Sequence, residues 1–130
     1  MLLCLSALPL LGQDEAGTLS ARLITASKEA GSTDERLNDV LPLFKDFAFK
    51  SFRLEAESNL ALKDGAAASL AKGYSIELSE VQDRNVTVRV IQDRRDKVKT
   101  RLSLRAGKPV VVGGFDDAAG GRTIIVLKLK

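Results

Sequence analysis

From Val86 to Lys130 apolar and polar residues alternate, and turn-forming clusters interrupt the alternation. A period of two sends successive side chains to opposite faces of a strand, a pattern no helix can bury on one side. Val86, Val88 and Val90 share one face, with Thr87, Arg89 and Ile91 on the other. Asp93-Arg94-Arg95-Asp96 closes a hairpin into a basic strand. There Val98, Thr100, Leu102 and Leu104 point inward, while Lys97, Lys99, Arg101, Ser103 and Arg105 point outward. Gly107-Lys108 turns into Pro109–Val112, and Gly113 to Gly121 reads as a glycine-rich acidic hairpin loop. Arg122 to Lys130 closes the run, and its Ile124–Leu127 core is apolar on both faces, as a central strand requires.

The same period recurs upstream. Thr18–Ser27 reads as a half-exposed strand, with Leu19, Ala21 and Leu23 against Thr18, Ser20 and Arg22. Lys50–Ser58 alternates again, followed by the short run Leu60–Leu62 and the turn Lys63-Asp64-Gly65. Ala66–Leu70 is an edge strand or loop, and Tyr74, Ile76 and Leu78 alternate with Ser75, Glu77 and Ser79. One stretch breaks the rule. Leu37, Val40, Leu41, Phe44 and Phe47 recur at helical spacing behind a Ser32…Glu35 capping-box pattern, with Thr33 or Asp34 as alternative caps. Pro42 falls inside this pattern, where a missing N–H kinks or splits a helix. The fold class expected is mainly β (α+β): an antiparallel β-sandwich or open barrel of about seven to eight strands, with one amphipathic helix after the first strand.

The chain of 130 residues suits one domain, at 17–130. With no Trp and five Phe, the core is aliphatic. There is no histidine, and Cys4 is the single cysteine, so histidine-based triads, Cys/His zinc sites and an intramolecular disulfide are all excluded. No cofactor is implied. Leu2 to Leu11 is an apolar run, too short for the ~20 residues of a membrane-spanning helix but suited to a signal peptide occupying residues 1–16. The expected location is periplasmic or secreted, with no transmembrane span in the mature chain.

The candidate site is the basic strand. Between Arg94 and Lys108 there are seven cations and one acid, Asp96. Alternation sets Lys97, Lys99, Arg101 and Arg105 in one outward row, suited to an anionic ligand. The competing reading is a solvated face offset by Glu55, Glu57, Glu77 and Glu80 on neighbouring strands. No aromatic residues interleave with the cations, which argues against stacking on nucleic-acid bases. A net charge of +3 is too mild to point there by itself. Asp116-Asp117 in the glycine loop falls short of the six to eight oxygens that calcium takes, and nothing pairs it or Glu55 and Glu57 for acid–base work.

Two segments carry a likeness. Ile24-Thr25-Ala26-Ser27-Lys28-Glu29, Asp34-Glu35-Arg36-Leu37 and Phe49-Lys50-Ser51-Phe52-Arg53-Leu54 together resemble a family of small exported bacterial proteins of unassigned function. That resemblance implies export and a β-rich fold. Thr100 to Gly114 is similar to a strand-turn-strand of the secretin C-terminal domain. The expected function is an exported, non-enzymatic binding or accessory module of the cell envelope, its partner an envelope protein or an anionic polymer. The alternatives are an assembly component of a secretion or pilus system and, further off, a carboxylate-dependent hydrolase.

Overall fold

The computed structural model describes residues 17–29, 31–45, 49–116 and 121–130. The expected leader at 1–16 with Cys4, the apolar Phe47 and the loop residue Asp117 lie outside the described residues. Eight strands form: β1 (Thr18–Ser27), β2 (Ser51–Ala61), β3 (Ala67–Ser69), β4 (Tyr74–Gln82), β5 (Asn85–Gln92), β6 (Arg95–Ser103), β7 (Pro109–Asp116) and β8 (Arg122–Leu129). They build two four-stranded antiparallel sheets, ordered β2-β1-β8-β7 in the first and β3-β4-β5-β6 in the second. The sandwich is therefore the correct member of the expected pair of architectures. No described helix is long and apolar enough to cross a membrane.

Alternation places one row of each strand between the sheets. Leu19, Ala21 and Leu23 of β1 and Ile125, Leu127 and Leu129 of β8 meet Ile76 and Leu78 of β4 and Val86, Val88 and Val90 of β5. Each such side chain contributes roughly 1.5–3 kcal/mol by leaving water. Tyr74 stacks on Phe115 at 5.6 Å between ring centroids, tying β4 to β7 across the layer. β8 lies between β1 and β7, as its doubly apolar sequence requires.

β1 is not half exposed. Its second face, Ile24 and Ala26 with Ser20 and Arg22, is buried as well. The cause is a second hydrophobic cluster outside the first sheet, where Leu37, Val40 and Phe44 cover Ile24, Ala26, Phe52, Ile124 and Val126. The covering segment is also not the continuous helix that its spacing suggests. It consists of two 3₁₀ turns, Glu35–Leu37 and Leu41–Phe44, with Pro42 in the first turn of the second. Proline there loses no intrahelical bond, and its fixed φ suits a helix start. Three apolar anchors still reach the sheet. The first turn is capped by Asp34, whose carboxylate accepts from the Arg36 N–H, and not by Ser32.

Two bulges shift the alternation in the first sheet. In β2 the register steps between Leu23↔Ala56 and Ile24↔Leu54, leaving Glu55 as the extra residue. Phe52 and Leu54 therefore join the outer cluster, while Ala56 and Leu60 pack between the sheets. In β7 the register steps from Val111↔Val126 to Gly113↔Ile125 around Val112. The expected loop at 113–121 is accordingly shorter. Gly113 and Gly114 are strand residues, and pairing continues to Asp116↔Arg122. A glycine inside a strand commonly marks such a bulge.

Candidate functional site

Among the described residues β6 is an edge strand, hydrogen-bonded to β5 alone, and its outward residues extend the outer face of the second sheet. Three cross-strand rows define that face: Glu77↔Arg89↔Lys99, Ser79↔Thr87↔Arg101 and Ser75↔Ile91↔Asp96. Lys97 is the extra residue where the register steps between Val90↔Val98 and Ile91↔Asp96. The step puts Asp96 on the same face as Arg89.

The four sequence-predicted cations have different surroundings. All of Lys97, Lys99, Arg101 and Arg105 are exposed. Arg101 is held by the fold: its Nη1 donates to the Glu80 carbonyl at 2.9 Å and to Thr87 Oγ1 at 3.2 Å. Thr87 in turn donates to Glu80 Oε1 at 2.9 Å. Among the described residues, no ion pair engages Lys97, Lys99 or Arg105. Arg105 lies beyond the end of β6, in the turn closed by the Lys108 N–H to the Arg105 carbonyl. Lys97 and Lys99 thus form the unpaired centre of the row.

Arg89 takes both nearby acids. Its Nη2 lies 2.7 Å from Asp96 Oδ1 and its Nη1 3.2 Å from Glu77 Oε1. Hydrogen bonding to Asp96 raises the guanidinium pKa further above its ordinary value. Lys99 directly opposes Arg89, a pairing of like charges that is unfavourable unless offset, and the two carboxylates supply the offset. Only half of the expected neutralising acids belong here. Glu77 and Glu80 sit on this sheet, but Glu55 and Glu57 lie in β2 of the other sheet. Glu57 there accepts from Ser20 Oγ at 2.9 Å, and Glu55 lines an open cleft of about 320 Å³ with Thr25, Ser27, Ser51 and Arg53. Asp116 is exposed, with Arg122 at 3.4 Å. No group of three or more Asp, Glu, His or Cys capable of holding a metal occurs among the described residues.

A second charged assembly lies on the opposite side of the molecule, and the sequence reading does not contain it. Arg22, only 5% exposed, forks onto Asp39 with bonds of 2.9 and 2.8 Å. Lys128 Nζ reaches Asp39 Oδ2 at 2.9 Å. The Arg22 hydrogen bonds hold the Asp39 carboxyl far below the usual carboxylate range, against the opposing effect of desolvation. Arg22 Nε has no hydrogen-bond partner among the described residues. The available signal was parity: Arg22 shares its face with Ile24 and Ala26, so a covered face demanded a counter-charge for it.

Fold and geometry together define an eight-stranded antiparallel sandwich with one outer face covered by its own chain and the other presented to solvent among the described residues. Comparison with protein-family models, curated proteins and solved structures returns no match to this chain.

Proposed function

We propose that the protein is an exported, non-enzymatic binding module of the cell envelope whose open second-sheet face takes an anionic partner. The observation that carries this reading is the unpaired, exposed pair Lys97 and Lys99, flanked by Arg101 and Arg105. Charges already paired within a fold gain little from a ligand, whereas free lysines attract an anion from a distance. The partner is a polymer or protein surface bearing carboxylate or sulfate groups. Export rests on the apolar run Leu2–Leu11 and the periplasmic or secreted location follows from it.

The test is salt elution from a sulfated-polysaccharide matrix. The Lys97→Gln, Lys99→Gln, Arg105→Gln triple variant elutes at clearly lower salt than the parent. A control triple at exposed lysines elsewhere, Lys45→Gln, Lys50→Gln, Lys63→Gln, has the same net charge and elutes close to the parent. Equal shifts in both triples mean that net charge alone drives retention and remove the site. A second reading, an assembly component of a secretion or pilus system, is favoured by β7, which is open along one edge in the segment similar to the secretin strand-turn-strand.

A further inference from the structure

The sandwich has four sheet edges, and they are not protected alike. β6 carries Arg95, Asp96, Lys97, Lys99 and Arg101 along its length, and β2 carries Arg53, Glu55 and Glu57. Charges of this kind discourage pairing with another strand. β3 is three residues long, too short to template much. β7 differs from all three. From Pro109 to Phe115 it contains no charged residue, and it is paired on one side only, to β8.

The sequence of β7 also matches itself when reversed. Consider two copies laid antiparallel, with a two-fold axis between Val112 and Gly113. Val111 then opposes Gly114 of the second copy, Val110 opposes Phe115, and Pro109 opposes Asp116. Partners across a sheet must share a face, and the register to β8 shows that these do. Val110 pairs with Leu127 and Phe115 with Thr123, two positions of the same parity on β8, and both side chains pack toward the sandwich interior. Val111 and Gly114 pair with Val126 and Ile124, again of one parity, and face outward from the sandwich. Without the bulge at Val112 the two halves of β7 would be out of phase and this register would fail. A bulge often spoils an edge; here it brings the two halves into agreement.

The ends agree as well. Pro109 opposes Asp116 of the second copy, whose side chain is 88% exposed, and both positions pair with β8 residues of the outward parity, Lys128 and Arg122; symmetry repeats the contact. The aromatic Phe115 opposite the β-branched Val110 is a favourable cross-strand pair. Pro109 lacks an N–H but stands at the first position of the strand, so it costs the pairing at its margin only.

We infer that β7 is a self-association edge: two copies of this chain pair β7 to β7 antiparallel, with Val111 opposite Gly114 and Pro109 opposite Asp116, merging their first sheets into one eight-stranded sheet. The interface is isologous, so it closes at the dimer.

Sedimentation equilibrium of the full chain from about 1 µM to 0.5 mM tests this, because a dimer edge responds to mass action. The expected result is a reversible monomer–dimer equilibrium. Pro109→Asp weakens it about five- to thirtyfold, by setting like charges opposite each other at two symmetric places. Pro109→Lys, which sets a cation opposite Asp116 at the same two places, tightens it instead. A chain that stays monomeric throughout the range overturns the inference. So does a dimer that Pro109→Asp fails to weaken or that Pro109→Lys fails to tighten, since its interface lies elsewhere. Position 109 is half-buried at the margin of the strand, and unchanged urea midpoints verify that both variants fold.

Discussion

The two outer faces of the sandwich are built from sheets of equal strand number and the same antiparallel pairing, yet one is buried and the other open. On the first sheet, the outward row of β1 and β8 is Ile24, Ala26, Ile124 and Val126, and the 35–44 segment closes over it. On the second sheet the equivalent row is Ser75, Glu77, Thr87, Arg89, Lys99 and Arg101, where Arg89 pairs with Glu77 and Asp96 and Lys99 stays unpaired. Which face becomes a surface is thus decided by the chemistry of alternate residues. Covering the first face takes about ten residues that form no long helix. Such a cover stays down because its anchors are apolar and because one ion pair fixes its middle.

The sharpest way to break this contrast is to remove an anchor. Phe44 is 2% exposed and stacks on Phe52 at 5.1 Å between centroids. Phe44→Ala leaves a cavity against the sheet and is expected to cost about 3–5 kcal/mol in urea unfolding. A loss below about 1 kcal/mol would show that the cover does not belong to the cooperative core.

The ion pair is next in size. Asp39→Asn keeps the shape but leaves Arg22 buried without its counter-charge. Breaking a fully buried pair costs ~3–5 kcal/mol, and since the Asp39 side chain is 34% exposed, the expected loss is about 1–3 kcal/mol. Its pH dependence has a definite sign. The folded Asp39 carboxyl titrates below its ordinary value, so its contribution is complete above the unfolded value of about 3.9 and is lost as pH falls toward the folded one. Asp34, pulled down to about 2 chiefly by its side-chain hydrogen bond from Arg36, acts in the same direction. The stability gap between the parent and Asp39→Asn therefore narrows between about pH 4 and pH 2. Urea midpoints at several pH values in this window read it directly, and a gap that stays constant there contradicts the pairing.

The sequence carried the strands because alternation is local: eight residues of β5 suffice to separate Val86, Val88 and Val90 from Thr87, Arg89 and Ile91. It carried the central position of β8 for the same reason. It could not carry the bulges at Glu55 and Val112, because each is defined by a register against another strand. Gly113 and Gly114 read as a loop until β8 pairs with them. The expected amphipathic helix failed on Pro42, whose cost was visible, while its remedy, two separate 3₁₀ turns, depends on the sheet beneath. At the site, exposure of Lys97, Lys99, Arg101 and Arg105 was legible from parity. The engagement of Arg101 was not, because its acceptor is the backbone carbonyl of Glu80, a residue at φ 49° in the irregular stretch of β4.

The smallest expected effect concerns the open face itself. Arg89 has two carboxylate partners, the same number of charges as the Arg22 assembly, and a reading based on pair counts makes it just as important. Exposure argues otherwise. The Arg89 side chain is 41% exposed and its partners Glu77 and Asp96 are 47% and 56% exposed, whereas Arg22 is 6% exposed. Water solvates Glu77 and Asp96 once the guanidinium is gone, and removing Arg89 also relieves its like-charge opposition to Lys99. Arg89→Ala is therefore expected to change stability by less than about 1 kcal/mol, with little further change in high salt. A loss above about 2 kcal/mol would mean that this network is desolvated, and the contrast between a covered and an open face would then fail on the side where the ligand is proposed to bind.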